Sequence, residues 1–171
     1  DVYLLKSSVR RLNLEMAVNE GIVKIALDVC PAQVTLVPEK REELTTEGGL
    51  DVSGNLDRIK QTSDRFHEKG IVVSLFIDPD FKQIDASKSV GADAIEIHTG
   101  KYADIFEEHQ ESLWYEEYEK IVKSAEYAMS TGLKVHAGHG LDYRNIYPIL
   151  SIQQIQEFNI GYSIICKAVF I

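Results

Sequence analysis

The tripeptide Gly138-His139-Gly140 sets an imidazole between two glycines, directly after a short apolar run. Histidine changes charge closer to neutrality than any other unperturbed side chain, and bare neighbours let the ring and adjoining N–H groups approach a ligand closely. The arrangement suits proton donation or acceptance. The blander reading is a surface-loop histidine, for which two flanking glycines are an unusual construction. Glu15 in Leu12-Asn13-Leu14-Glu15-Met16 and Glu96 in Ala94-Ile95-Glu96-Ile97-His98 interrupt apolar alternation, so each shares its side of a strand with other polar residues. A carboxylate turned into a dry interior is costly unless paired or used, and desolvation lifts its pKa toward the range of general acid–base work. Structural ion pairs with Lys or Arg are the competing explanation. His98 reads as a weaker candidate, hydrogen-bonded in the core; His136, His67 and His109 read as structural or solvated.

Two further stretches suit phosphate. Ala137-Gly138-His139-Gly140-Leu141 and Asn159-Ile160-Gly161-Tyr162 put glycines at strand ends, where backbone N–H donors and a following helix N-terminus attract anions. A single Gly-x-Gly is weak by itself, and its position late in the chain strengthens it. The polar connection from Pro38 to Val52 carries Thr45, Thr46 and the pair Gly48-Gly49. It reads as a closing lid whose threonines donate hydroxyls to a phosphate or sugar, or as a solvated loop.

These residues need strands to hold them. Short β-rich runs alternate with helical stretches, the pattern of a parallel sheet with crossover helices. The predicted strands are Leu12 to Met16, Val34 to Glu39, Ile71 to Asp78, Ala94 to Thr99, Lys134 to Gly138 and Asn159 to Ile165. Helices are expected near Asn19 to Val29, Leu56 to Lys69, Phe81 to Val90, Trp114 to Ser130 and Tyr143 to Leu150. An open sheet covered on both faces would read as nearly continuous apolar residues. Polar residues recurring on one face (Asn13 with Glu15, Ser74 with Asp78, Glu96 with His98) point instead to a barrel interior. In such barrels chemistry gathers at the C-terminal ends of the strands, where Glu15, Glu39, Asp78, Glu96, His98 and His139 all fall and would ring one mouth.

A closed barrel of this type has eight strands and about 250 residues. Six strands in 171 residues fall short of that count. The opening Val2-Tyr3-Leu4-Leu5-Lys6 looks like a helix already under way, and Phe170-Ile171 stops where a last helix should follow. The expected fold is therefore an α/β (β/α)8 TIM barrel with six of eight strands present, residues 1–171 forming a single incomplete domain. The first two strand–helix units and the last helix are expected to be absent.

Composition narrows the partners. A formal net charge of −9 argues against nucleic acid and against an anionic membrane surface, both of which need a basic footprint. No apolar run approaches the roughly 20 residues of a membrane span, and the N-terminus lacks signal-peptide blocks, so a soluble, cytoplasmic protein is expected. Two distant cysteines, Cys30 and Cys166, suggest neither a disulfide framework nor a zinc site.

Taken together the motifs resemble the pyridoxine 5′-phosphate synthase family. Asn13-Leu14-Glu15-Met16-Ala17, Leu36-Val37-Pro38-Glu39-Lys40-Arg41, Thr45-Thr46-Glu47-Gly48-Gly49-Leu50-Asp51-Val52, Val73-Ser74-Leu75-Phe76-Ile77-Asp78, Ile95-Glu96-Ile97-His98-Thr99-Gly100, Ala137-Gly138-His139-Gly140-Leu141 and Phe158-Asn159-Ile160-Gly161 occur in family order across nearly the whole chain. The resemblance implies condensation of 3-amino-2-oxopropyl phosphate with 1-deoxy-D-xylulose 5-phosphate to give pyridoxine 5′-phosphate, phosphate and water, with no cofactor and no metal. It implies Glu15 as proton acceptor, His139 as proton donor and Glu96 as transition-state stabiliser. Thr45 would contact deoxyxylulose phosphate, and Gly140 and Gly161 the aminoketone phosphate, beside Tyr162. At that last position the family usually has a histidine, so a hydroxyl replaces a cationic contact. A homo-oligomer, an octamer by resemblance, is expected. Two competing readings are another phosphate-binding TIM-barrel isomerase or synthase, against which the lid sequence argues, and a non-catalytic barrel remnant, against which the retention of Glu15, Glu96 and His139 counts.

Overall fold

The computed structural model describes residues 1–39, 48–108 and 111–170. Eight helices and six strands follow one another in the described residues: α1 (Val2–Ser8), β1 (Asn13–Ala17), α2 (Glu20–Val29), β2 (Gln33–Val37), α3 (Leu56–His67), β3 (Val72–Ile77), α4 (Phe81–Ser89), β4 (Ala94–His98), α5 (Gly100–Glu107), α6 (Glu111–Ser130), β5 (Lys134–Gly138), α7 (Ile146–Ile149), β6 (Ile155–Asn159) and α8 (Tyr162–Ala168). All strands are parallel and lie in sequence order, β1 through β6.

The sheet is curled. Five strand spacings of about 4.8 Å would set β1 and β6 some 24 Å apart if it were flat. Yet Arg11, just before β1, places Nη1 3.4 Å from Glu157 Oε2 on β6. An arginine side chain cannot bridge the flat distance, so the edge strands bend toward each other around a common interior. This curled α/β half-barrel of six parallel strands accords with the expected (β/α)8 barrel with six of its eight strands present.

The outer face drives assembly. Val34, Leu36, Val73, Leu75, Ile77, Ile95, Ile97, Val135 and Ala137 are fully buried there. They pack against helical stripes at three- and four-residue spacing, such as Val23 and Ala26 of α2, Ile59 and Phe66 of α3, and Ile121, Ala125 and Ala128 of α6. Side-chain caps fix two helix starts: Asn19 Oδ1 accepts from Gly21 N–H at 3.0 Å, and Asp80 Oδ1 from Lys82 N–H at 2.9 Å.

The sixth strand departs from expectation. It spans Ile155–Asn159, and the run read as a strand up to Ile165 is the loop at 160–161 followed by α8. Ile160, Ile164 and Ile165 carry β propensity, but the ladder decides: Ile155 pairs with Val135, Glu157 with His136 and Asn159 with Gly138. The pairing ends with Asn159, and none of the described residues continues the ladder beyond it. The expected helix from Tyr143 contracts to Ile146–Ile149 because Asp142 Oδ1 accepts from the N–H groups of Arg144 and Asn145 and makes a turn there. Helix α5, directly after β4, was not foreseen.

Candidate active site

Parallel pairing brings every strand's C-terminal end to one side of the sheet. There a cavity of about 760 Å³ is lined by Glu15, Glu96, His139, Gly140, Gly161 and Tyr162, together with Leu141, Asp142, Asn159, Ile160 and Ser163. Glu15 comes from β1, Glu96 from β4, and the remainder from the end of β6 and the segments that follow β5 and β6. Only curling can gather them.

Glu96 is the most perturbed acid of the group. It is 2% exposed, and Oε2 accepts from Asn159 Nδ2 at 2.7 Å. Oε1 is buried without a hydrogen-bond partner. Burial pushes the carboxyl from the ordinary 4.5 up to about 7; the Asn159 amide opposes that shift, and the negative charges of Glu15 and Glu157 add to it. A carboxyl poised there can hold or release a proton at physiological pH.

His139 stands in the left-handed region at φ 76°, and Gly140 follows at φ 71°. Left-handed backbone at a non-glycine residue costs on the order of 1–3 kcal/mol and persists only where surroundings enforce it. Here Thr99 enforces it: its hydroxyl lies 2.7 Å from Gly138 O and 2.6 Å from His139 O, and its N–H donates to Gly138 O at 2.9 Å. Gly140 is needed twice, for its φ and because a methyl there would come within 2.6 Å of Ala103 Cβ. The imidazole of His139 packs on Phe76, centroids 4.3 Å apart, and meets His98 edge-on at 5.6 Å.

Other candidates lie apart from this cavity. His98 Nδ1 is 3.1 Å from Asp78 Oδ1, and the pair borders a neighbouring cavity with Lys101, Glu117 and Lys120. The His98 ring and the Gly49 N–H, which donates at 3.0 Å, hold the Asp78 carboxyl below the usual carboxylate range. Glu39 borders a third cavity, where its carboxylate accepts from Asn19 Nδ2 at 3.0 Å and lies 3.4 Å from Arg58 Nη2. The single ring of acids and histidines is therefore divided among three cavities. Thr45 and His109 lie outside the described residues. His136 is buried, and burial lowers its pKa; His67 sits on Asp93 at 2.9 Å near the surface.

Tyr162 is 87% exposed at the cavity edge. No lysine or arginine lines the cavity among the described residues, so an anion there would rely on backbone N–H groups, the Tyr162 hydroxyl and a ring N–H of His139. A methyl added at Gly161 would meet nothing within 4 Å, which leaves its backbone open to a ligand. No group of three metal-ligating side chains occurs, and no helix is long and apolar enough to cross a membrane, among the described residues. Sequence reading missed Asn159 as a site residue. Its signal, an amide at the end of a strand facing the same interior as Glu96, was masked by assigning the strand to the wrong residues.

Comparison with known proteins gives one consistent family. The family described as pyridoxal phosphate biosynthesis protein PdxJ matches residues 1–171. A pyridoxine 5′-phosphate synthase of Sulfurihydrogenibium sp. (strain YO3AOP1) is 52% identical over 175 residues, covering 100% of this chain and 70% of that protein. The enzyme of the same name from Photobacterium profundum is 53% identical over 171 residues, covering 99% and 69%. Among solved structures, the EAL domain of Mycobacterium smegmatis DcpA superposes with a TM-score of 0.54 at 12% identity, over 86% of this chain and 64% of that one. A xylose isomerase domain protein from Planctomyces limnophilus gives 0.53 at 15%, over 88% and 62%. At those identities the structures speak for the fold alone.

Proposed function

This chain belongs to the PdxJ family of pyridoxal phosphate biosynthesis proteins and has the synthase function of its relatives, and from that premise we propose that the cavity around Glu15, Glu96 and His139 is where pyridoxine 5′-phosphate is made. The substrates of that reading are 3-amino-2-oxopropyl phosphate and 1-deoxy-D-xylulose 5-phosphate. Joining an amine to a carbonyl expels water, closing and aromatising the ring removes further protons, and phosphate departs by elimination. Every one of these steps moves a proton, which calls for an acceptor and a donor facing one space.

Glu15 is the acceptor and His139 the donor. Glu96 works as a carboxylate that stabilises positive charge as it develops on the condensing nitrogen, where a dry surrounding makes the interaction strong. Backbone N–H groups near Gly140, Gly161 and Tyr162 hold the aminoketone phosphate, with the Tyr162 hydroxyl in place of a cation. The reading carries with it a cytoplasmic homo-oligomer, octameric by family resemblance, whose partners are small phosphorylated substrates.

The observation that carries the proposal is that three groups of matched chemistry, spread over more than 120 residues of chain, line one cavity. The test uses full-length protein with both phosphorylated substrates, following pyridoxine 5′-phosphate and free phosphate together. Glu15→Gln and His139→Asn should each lower turnover by about 10³-fold. Normal turnover in both variants would remove the site.

A further inference from the structure

Glu96 and Asn159 stand on β4 and β6, with β5 between them. Two strand spacings amount to nearly 10 Å, more than a glutamate and an asparagine ordinarily close across a filled strand. They meet at 2.7 Å because β5 presents Gly138 at that level, the register partner of Asn159. A methyl at 138 would fall on Glu96 Oε1 and within 3.0 Å of Asn159 O. The glycine is therefore the gap through which an amide on one strand reaches a carboxyl two strands away.

We propose that Asn159 is a positioning residue for the reaction: its amide fixes the Glu96 carboxyl in one orientation, N–H on Oε2, so that Oε1 is left to meet the substrate. This rests on the function assigned to the cavity above. Three observations converge on it. The Asn159 amide is the hydrogen-bond donor to Glu96 Oε2. Oε1 is buried yet has no hydrogen-bond partner, a state that costs free energy and that a donor on a bound substrate would relieve. Both side chains line the same cavity.

The amide also governs charge. Glu96 faces Glu15 from β1 and Glu157 from β6, with His136 its register partner on β5 and the Asp78–His98 pair and His139 beyond its strand end. Arg11 is engaged with Glu157 and Gln33 rather than with Glu96. Against two neighbouring acids and deep burial, the Asn159 N–H is the contact that favours the carboxylate. Its removal should raise the pH at which Glu96 ionises.

The experiment compares Asn159→Ala and Asn159→Asp with the parent, in full-length protein, across about pH 6 to 9. Loss of the amide should lower kcat about tenfold with KM changed by less than about twofold, and should move the acidic limb of the kcat profile upward by about half to one pH unit. Asn159→Asp, equal in size but bringing a third acid, should move the limb further than Asn159→Ala. A role confined to packing predicts a drop in melting temperature with the limb unmoved in both variants, and that outcome overturns the proposal. Carbon-13 NMR titration of the Glu96 carboxyl in ligand-free protein separates the two ideas. If the parent makes no pyridoxine 5′-phosphate but the titration follows residue 159, the assigned function fails and takes the role in the reaction with it, leaving only the hold of Asn159 on the Glu96 carboxyl. If product forms and the titration ignores residue 159, the positioning role fails alone.

Discussion

Ile95, Glu96 and Ile97 are consecutive on β4 and almost equally withdrawn from solvent, at 0%, 2% and 0% exposure. The two isoleucines face helices, and the hydrophobic core around them is continuous. Glu96 faces the inside of the curl, where Gln33 Nε2, Ser74 Oγ and His136 Nδ1 are also buried without hydrogen-bond partners. One face of the sheet is therefore satisfied by packing, while the other holds polar groups at an energetic cost. Burial alone does not mark a core. What surrounds the buried atom decides whether it serves stability or chemistry.

The contrast can be broken or sharpened by substitution. The largest effect should come from His139→Asn, which keeps a residue tolerant of left-handed backbone and removes the proposed proton donor. Turnover should fall about 10³-fold with the melting temperature nearly unchanged, and a large loss of stability would show that the inner face supports the fold after all. On the outer face, Leu75→Ala should cost about 3 kcal/mol in denaturant unfolding while the surviving folded protein keeps its turnover. An intact midpoint would mean the outer packing is looser than its burial implies.

Glu96→Gln should act in the opposite sense. The folded state holds a proton on Glu96 from pH 4.5 up to about 7, where the unfolded chain has released it, so stability is lost as pH rises through that window. The neutral amide should therefore raise stability at about pH 8 by on the order of 2 kcal/mol, converge with the parent near pH 4.5, and lower turnover throughout. Equal melting curves at the higher pH would mean that charging Glu96 carries no cost. The smallest effect belongs to the surface. Arg65 grips Glu20 through two bonds of 2.8 and 3.1 Å, yet both side chains are open to water, and Arg65→Ala should cost less than about 1 kcal/mol in the same unfolding assay.

The outer face was legible in the sequence because alternation has a fixed period and apolar residues have one destination. Ile95 and Ile97 dictate that Glu96 points inward, where it is buried; the same alternation turns Glu15 toward the cavity, but there it is exposed rather than held in a dry interior. The Gly138-His139-Gly140 turn was equally readable, since its glycines carry conformational meaning. The end of the sheet was not. Ile160 to Ile165 has the composition of a strand, and only the pairing of Asn159 with Gly138 shows that the ladder stops there. Partition among cavities was hidden for a related reason. Asp78, His98 and Glu39 occupy strand ends as foreseen, but the partners that draw them away (Gly49, Asn19 and Arg58) come from distant segments whose approach no local pattern encodes.

The order of the strands has a consequence for synthesis. Since each strand pairs with the one translated just before it, an emerging chain can add units one at a time, and the helix-facing core grows with every unit. The inner face matures on another schedule. Glu96 waits 63 residues for its amide, and Arg11 waits 146 for Glu157. A ribosome paused before β6 would carry the layered packing of β1 to β5 without the Asn159 amide, so β6 is the strand that completes the surroundings of Glu96.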